Sequence, residues 1–423
     1  MNKPEEKQSH QLAEHFFRTE YGRLVSVITR YLGTANVQTA EDIVQETLSK
    51  AVDHWQQHGI PPNPQAWLYT TAKNHTLNIL KRKSVHRNFE ASSRTLTDKS
   101  AEWEDFEPTS ATLSDNQLKM MFVCCHPALS ENSQIALILK ILCGFSIAEI
   151  AHAFFSSHET INKRLVRGRR QLRENKVAFE IPPDLDQRIT IVLKTIYLLF
   201  NEGYFPSQKN SLIRYDLCLE AIRLVQLLLA GPITENKADC HALLALMYLN
   251  ASRFEARMEE GGLGMDMEKQ DRKKWDQDLI QSGIRQLQWA MRAGKSSNFL
   301  ILATISAHHC IAPNFEATDW PAILALYDQL IVLENSPLVH LNRSVALSKA
   351  EGNQKAIAEL LQLESRTDIG KHYLFHATLG ELYGDENERE KAIGCFEKAI
   401  ALAGNQRDIA LLKKKLMQFV PIR

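Results

Sequence analysis

The chain has 423 residues and a formal net charge of zero, with 24% charged and 44% hydrophobic residues. The length predicts two or three domains with ample apolar core. Because the net charge is zero, nucleic-acid binding has to be sought in local basic segments. Seven cysteines without regular spacing indicate a reducing compartment rather than a disulfide framework. The N-terminus has no apolar signal core and no apolar run reaches membrane-spanning length, which predicts a cytoplasmic protein without a membrane segment.

Helical periodicity recurs along most of the chain, and no strand-like alternation of useful length appears, so we predict an all-α fold. The segments 11–87 and 116–177 are helical in pattern. Between them, residues 88–115 lose periodicity and are rich in Ser, Thr and acidic residues, which predicts a flexible acidic linker. The sequence IPPD at 181–184 ends the second segment, because two prolines cannot continue a helix. The remaining stretch, 187–420, again shows only helical periodicity.

The first informative helix lies within AEDIVQETLSKAVDHW. Its apolar stripe recurs at i, i+4, i+7 and i+11, as Val44, Leu48, Ala51 and Trp55. The opposite face carries acidic and amide side chains, among them Asp42, Gln45 and Glu46. For a helix taken alone, a solvated face explains these residues better than a docking surface does.

The next helix follows the loop QQHGIPPNP, where Asn63 can cap it and Pro64 can occupy its first position. Its exposed side is predicted to combine an aromatic ring, a hydroxyl, amides and cations, at Trp67, Thr71, Asn74, Asn78, Lys81 and Arg82. Aromatic rings stack on unpaired bases and cations hold phosphates, so this face fits a nucleic-acid strand whose bases are unstacked. Trp67 alone is explained equally well as a core residue.

Residues 145–173, FSIAEIAHAFFSSHETINKRLVRGRRQLR, have the pattern of a helix-turn-helix. Ile147, Ile150, Ala151 and Phe154 give the first helix one apolar face, and Ser156 or Ser157 can cap the second helix. On the second helix, Ile161, Leu165 and Leu172 share the apolar side. The polar side offers the candidate DNA contacts Thr160, Asn162, Lys163, Arg164, Arg167 and Arg170. A solvated basic helix in an ordinary helical domain is the alternative for this stretch alone.

Together, these segments resemble the sigma factors of bacterial RNA polymerase, specifically the extracytoplasmic-function (ECF) group. The resemblance covers residues 11–176 and rests on the order and spacing of several motifs. It implies a region 2 domain at 11–87, a linker at 88–115 that threads the polymerase channel, and a region 4 helix-turn-helix domain at 116–177.

The resemblance also implies roles for the candidate residues. Asp42, Gln45 and Glu46 match the pattern that docks on the clamp helices of the polymerase β′ subunit. The face from Trp67 to Arg82 matches the part that opens and reads the −10 promoter element, and the loop 57–64 matches one that captures a flipped base. The helix-turn-helix matches the part of region 4 that reads the −35 element, beside the polymerase β flap.

The stretch 187–420 resembles a long helical extension, with tetratricopeptide-like repeats, that a subset of ECF factors carries. Its last repeat has the expected offsets at Leu379, Gly380, Tyr383, Ala392, Phe396 and Ala399. Stacked helix pairs form a curved surface, and intramolecular docking of this surface on region 2 or region 4 is one expectation. The second expectation is that this curved surface contacts the polymerase. We further expect that truncation after Lys176 leaves the fold of 11–176 intact.

The sequence gives only weak signs of a metal site. Cys124-Cys125-His126 and His308-His309-Cys310 contain metal-ligand types but lack a second ligand pair at zinc-site spacing, so buried thiols are favoured over a metal site. We predict no catalytic residues, no metal and no cofactor.

The sequence therefore predicts a promoter-specificity subunit and not an enzyme, with core RNA polymerase and promoter DNA as partners. It would be cytoplasmic, and nucleoid-associated in the holoenzyme. The alternative is a stand-alone helix-turn-helix regulator of duplex DNA with a repeat-type sensor domain, although such a protein has no use for the 42–87 segment. A third reading, a repeat-protein adaptor with a vestigial DNA-binding half, predicts no promoter binding even with core polymerase.

Overall fold

The computed structural model describes residues 3–86, 109–153, 156–181, 185–204, 213–231, 237–257, 265–404 and 406–420. Within these ranges every regular element is a helix and no strand occurs, which confirms the all-α prediction. The chain divides into two compact units, which we call the first unit (1–203 and 215–236) and the second unit (204–214 and 237–423).

The helices that begin in the first unit are α1 (Lys3–Leu32), α2 (Val37–His58), α3 (Pro64–His86), α4 (Ser110–Cys124), α5 (Glu131–Ile141), α6 (Ile147–Ala153), α7 (His158–Glu174), α8 (Leu185–Tyr204) and α9 (Tyr215–Ala230). Those of the second unit are α10 (Lys237–Ala251), α11 (Gln277–Met291), α12 (Asn298–Ile311), α13 (Trp320–Leu333), α14 (Pro337–Glu351), α15 (Asn353–Arg366), α16 (Tyr373–Asp385), α17 (Arg389–Leu402) and α18 (Gln406–Met417). Short 3-10 helices follow α1 and interrupt the second unit.

Helix α1 is the centre of the first unit. Every residue from Leu24 to Thr29 is at most 1% exposed, so this part of the helix is buried on all sides. A helix buried all round needs partners all round, and α1 packs against α2 and α3 as well as α4, α5 and α9. The helices of the predicted region 2 therefore share one core with helices from both later segments.

Two domain boundaries that were predicted from the sequence fall inside helices. Helix α4 begins at Ser110, within the segment predicted as linker, and Thr109 caps it by accepting a hydrogen bond from the Thr112 amide at 3.2 Å. The linker residues 87–108 lie outside the described residues. Helices α8 and α9, predicted as part of the extension, contribute to the first unit instead.

The second unit is built from consecutive helices that pack on their neighbours. In the pair α16–α17, a Cβ atom at Gly380 would lie 3.1 Å from the Phe396 ring, so the absence of a side chain there permits close packing. Phe396, Ala392 and Ala399 are fully buried, and Tyr383 packs against this cluster. The small residues Gly380, Ala392 and Ala399 thus allow α16 and α17 to pack closely around the Phe396 ring.

Candidate nucleic-acid interface

The predicted helix-turn-helix begins with a capping box at the start of α6. The Ser146 amide donates to Glu149 Oε2 at 2.8 Å, and the Glu149 amide donates to Ser146 Oγ at 3.2 Å. Ile150 and Ala151 are buried and Ile147 is half-buried, as the apolar pattern predicts. Phe154, the fourth predicted residue of this face, lies outside the described residues.

Ser157 caps the basic helix α7 by accepting from the Thr160 amide at 3.1 Å. Ile161, Leu165 and Leu172 are fully buried, which confirms the predicted apolar side. Gly168 lies on the same side, where a Cβ would be 2.9 Å from Leu137 Cδ1, so α7 lies close against α5. This packing fixes which face of α7 is presented to solvent.

Four of the six predicted DNA contacts on α7 are exposed, namely Asn162, Lys163, Arg167 and Arg170. Thr160 and Arg164 are half-buried. Lys163 pairs with Glu159 at 2.6 Å and Arg170 pairs with Glu174 at 3.7 Å, both at high exposure. Exposed ion pairs of this kind contribute little to stability, so these cations can exchange their acidic partners for phosphates or base edges.

Helix α3 presents the second predicted face. Asn63 caps it through its Oδ1, which accepts from the Ala66 amide at 3.0 Å, and Leu68 and Ala72 are buried. Asn74 and Asn78 are exposed, whereas Trp67 and Thr71 are half-buried. The side chains of Lys81 and Arg82 lie outside the described residues.

Trp67 belongs to an aromatic group at the junction of α2 and α3. Its ring lies 5.3 Å from that of His54 and 5.8 Å from that of Trp55, measured between ring centroids. A cleft of about 340 Å³ opens beside it, lined by Lys50, Asp53, His54, Gln57, Trp67 and Thr71. The cleft adjoins the loop after α2, and its size and aromatic wall suit a planar ring of the kind a nucleobase provides.

The acidic face of α2 is exposed at Asp42, Gln45 and Glu46, while Val44 and Ala51 on the other side are buried. Glu46 accepts a hydrogen bond from Lys50 at 2.7 Å and lies 3.5 Å from His75. The hydrogen bond from Lys50 lowers the pKa of the Glu46 carboxyl. Its neighbour Glu41 behaves differently, since only 3% of its side chain is exposed.

Two sets of residues in this region were not predicted from the sequence. The first set lines the cleft from successive turns of α2 and consists of Lys50, Asp53 and His54. Together with Gln57 these residues recur every three or four positions, and this spacing could have predicted that they share one face of the helix. Glu41 and Arg169 point inward despite their charge. Arg169 follows Leu165 by four residues and precedes Leu172 by three, so helical spacing placed it on the buried side of α7.

The suspected metal-ligand runs do not form a site in the described structure. Within the described residues, no group of three or more His, Cys, Asp or Glu side chains is placed to hold a metal ion. Cys124 and Cys125 are buried, and burial raises the pKa of both thiols. In the described part of the chain, no helix is both long and apolar enough to cross a membrane.

Two segments of the chain match known protein families. Residues 16–85, which include α2 and most of α1 and α3, match sigma-70 region 2. The chain is 26% identical over 167 residues to the RNA polymerase sigma factor YlaC of Bacillus subtilis (strain 168), covering 38% of this chain and 90% of that protein. The chain carries a sigma-70 region 2 domain.

Residues 188–291 of the chain match a family of unknown function (DUF6596). Over 385 residues, or 90% of both chains, it is 34% identical to the uncharacterized protein R00370 of Rhizobium meliloti (strain 1021) and belongs to the same family. That likeness spans both units, so the combination of the two matched segments within one chain is shared between the two proteins. No solved structure matches the chain.

Proposed function

We propose that this protein is an ECF-type sigma factor with a fused helical extension that regulates it. In this proposal the acidic face of α2 docks on the β′ clamp helices of core polymerase, and α3 opens and binds the −10 element. Helix α7 reads the −35 element beside the β flap. The protein is then a cytoplasmic transcription initiation factor and not an enzyme.

The observation that carries the proposal is the occurrence of two unlike nucleic-acid faces in one chain. The face of α3 combines Trp67 and the neighbouring cleft with the exposed amides of Asn74 and Asn78, a chemistry suited to unpaired bases. The face of α7 offers exposed cations for a duplex groove. A protein that melts one promoter element and recognises another as duplex DNA needs both of these faces.

The stand-alone regulator remains the second candidate, because α6 and α7 alone would suffice for duplex binding. It gives no role to the α2 face or to the cleft beside Trp67. Association with core polymerase distinguishes the two candidates. If the protein is a sigma factor, the purified full-length protein should co-migrate with core polymerase and support run-off transcription from a promoter library. Promoter binding without core, together with no association with core, would favour the regulator.

The extension is proposed to be tetratricopeptide-like. Helices α16 and α17 support this through the small residues Gly380 and Ala392 and the ring of Phe396 between them. Gly352, with a φ of +104°, forms the turn between α14 and α15, which suits an earlier degenerate repeat. The curved surface of such repeats would bind a peptide or a folded domain.

Alanine substitution on α7 should separate base reading from phosphate binding. Lys163→Ala and Arg167→Ala are each expected to cost roughly 1–3 kcal/mol of promoter affinity if they contact guanine, and to relax specificity at one base of the −35 element. Arg170→Ala should weaken all promoters alike and reduce the salt dependence by about one phosphate contact. Holoenzyme binding to a panel of −35 variants measures this, and uniform losses from all three would contradict the assignment.

Removing the acidic face of α2 should weaken polymerase binding. The double variant Asp42→Ala/Glu46→Ala is expected to fold normally, since both side chains are exposed. Its affinity for core should fall at least about tenfold, or ~1.4 kcal/mol, because charge complementarity at the interface is lost. The double variant Glu351→Ala/Glu390→Ala removes the same charge from exposed positions of the second unit and is the control. Equal loss in both variants would show a general charge effect.

A further inference from the structure

Two guanidinium groups share one indole ring in the connection between α10 and α11. The Cζ atom of Arg272 lies 4.7 Å from the centroid of the Trp275 ring, and that of Arg253 lies 5.2 Å from it. Both distances are typical of cation–π contacts. Trp275 is 3% exposed and both arginines are half-buried. Because two positive charges beside one buried ring repel each other, an anion next to them would be stabilised.

The hydrogen bonds of the two arginines do not neutralise their charge. Arg253 Nε donates to Gln270 Oε1 at 3.2 Å. Arg272 Nη1 donates to the backbone carbonyls of His309 and Ala312, at the end of α12. Within the residues that the structure describes, each guanidinium is thus bound by neutral acceptors. Capping of α12 explains the position of Arg272, but it uses only one of the two terminal nitrogen atoms of that side chain.

Three buried nitrogen atoms of this group have no hydrogen-bond partner in the described part of the chain, namely Arg272 Nη2, Trp275 Nε1 and His309 Nδ1. The residues that carry them are in contact, since Arg272 touches both the Trp275 ring and the His309 carbonyl. Buried polar groups are almost always paired, and each exception calls for an explanation. The N–H groups of Arg272 and Trp275 are donors, and His309 Nδ1 donates in one of its tautomers. Donors concentrated in this way suit an acceptor such as an oxyanion.

The surroundings of His309 are positively charged. Burial is the main cause that lowers the pKa of its imidazole to about 3, and the charges of Arg253 and Arg272 act in the same direction. The ring is therefore neutral at physiological pH. Burial also lowers the pKa of Arg272, and Glu316, the acidic side chain that opposes this shift, forms no salt bridge with it in the described structure. The run that contains His309 was considered as a source of metal ligands, but these charges favour an anion over a cation.

We propose that four residues of the second unit bind the carboxylate or phosphate group of a small molecule: Arg253, Arg272, Trp275 and His309. We call them the arginine cluster. A guanidinium suits both groups, because its N–H donors form a planar fork that matches two oxygen atoms. The unpaired donors are buried, so a small molecule can reach them more readily than a nucleic-acid strand can. Binding does not depend on the proposed function, since the cluster belongs to the second unit alone.

Titration calorimetry of the full-length protein with inorganic phosphate and, separately, with acetate tests the proposal. At least one of these anions should bind with a Kd below about 1 mM, which is within the range open to ligands of four or five heavy atoms. The anion that binds more tightly indicates which group the natural ligand carries. Binding of neither anion would show that water is enough to satisfy the arginine cluster, and would overturn the proposal.

Substitutions in the cluster should weaken this binding. Arg253→Gln leaves the contacts at the end of α12 in place and should raise the Kd at least about tenfold, the loss expected for one hydrogen bond to a charged group. Trp275→Phe keeps an aromatic ring but removes the indole N–H, and should also raise the Kd. The control is Arg292→Gln, because the exposed Arg292 lies over another indole of the same unit, 4.1 Å from the centroid of the Trp289 ring. Equal weakening by Arg292→Gln and Arg253→Gln would show a general charge effect and overturn the site.

Thermal unfolding separates a loss of binding from a loss of folding. A ligand stabilises the folded state by mass action, so the preferred anion should raise the melting temperature of the second unit in the parent protein. Arg253→Gln should lose this rise while it melts close to the parent in buffer without the anion. If Arg253→Gln melts well below the parent in that buffer, Trp275→Phe provides the same comparison. A full rise in both variants would contradict the proposal.

The nitrogen-15 signal of His309 locates the bound anion. The signal is assigned by its loss in His309→Gln. At neutral pH it should move when the preferred anion is added to the full-length protein, because Nδ1 gains a hydrogen-bond partner. Addition of the anion to Arg253→Gln at the same concentration should move it less. Anion binding that leaves the His309 signal unchanged would place the anion elsewhere and overturn the proposed site.

Discussion

A chain that ends after Lys176 is expected to lose the cooperative unfolding transition of the first unit, whereas a chain that ends at residue 236 should keep it. The shorter chain lacks α9, whose Leu217, Leu224 and Leu228 are fully buried. Burial of one leucine contributes about 1.5–3 kcal/mol, so three of them account for a large part of the ~5–15 kcal/mol by which a domain is stable.

Polar contacts add to this loss. Glu220 of α9 is 1% exposed and pairs with Arg223, whose Nη1 donates to Gln117 of α4 at 3.0 Å. Thermal unfolding followed by circular dichroism and calorimetry measures the difference between the two chains. If the chain ending after Lys176 unfolds cooperatively at the temperature of the longer one, α9 is dispensable and the sequence-based expectation for 11–176 holds.

The same pair of chains addresses regulation by the extension. The chain ending at residue 236 retains Asp216 and therefore its ion pair with Arg18. Its transcription with core polymerase, compared with that of the full chain, isolates the contribution of the second unit. A difference in either direction assigns a regulatory role to that unit, and equal transcription with and without the inducing stress rules it out.

Phe396→Ala is expected to destabilise the second unit by about 3–5 kcal/mol, the usual cost of emptying a fully buried phenylalanine site. Phe396 is fully buried between α16 and α17, and its ring stacks on Phe419 with centroids 5.7 Å apart. For a unit of this size the melting temperature should fall by roughly 10 °C. Calorimetry of the full-length protein should show this shift in one transition only.

A leucine-to-alanine substitution on the surface is the control for effects that do not come from the core. Leu361 on α15 is 43% exposed, so Leu361→Ala should move neither transition appreciably. If Phe396→Ala lowers both transitions together, the two units unfold as one cooperative body.

The amino-acid sequence by itself determined the secondary structure of the candidate sites. The capping residues Asn63 and Ser157 and the apolar positions Ile161 and Leu165 behave as predicted. Caps and apolar periodicity act within one or two turns of the same helix, so they can be recognised from neighbouring residues alone. The predicted exposure of Asp42, Lys163 and Arg167 followed from the same periodicity. Their roles in binding stay predictions.

Tertiary structure alone decided which helices share a core. Composition separates the N-terminal segments from the extension at 181–184, but α9 from beyond that point packs on α1 and α4. Glu41 and Arg169 are 128 residues apart and look like surface charges in isolation. Their burial depends on a partner that no local pattern specifies, because the desolvation of a charge has to be offset by an opposite charge or by hydrogen bonds brought close in space. The long-range packing of α1 brings those charges together, so their ion pair could be recognised only in the folded chain.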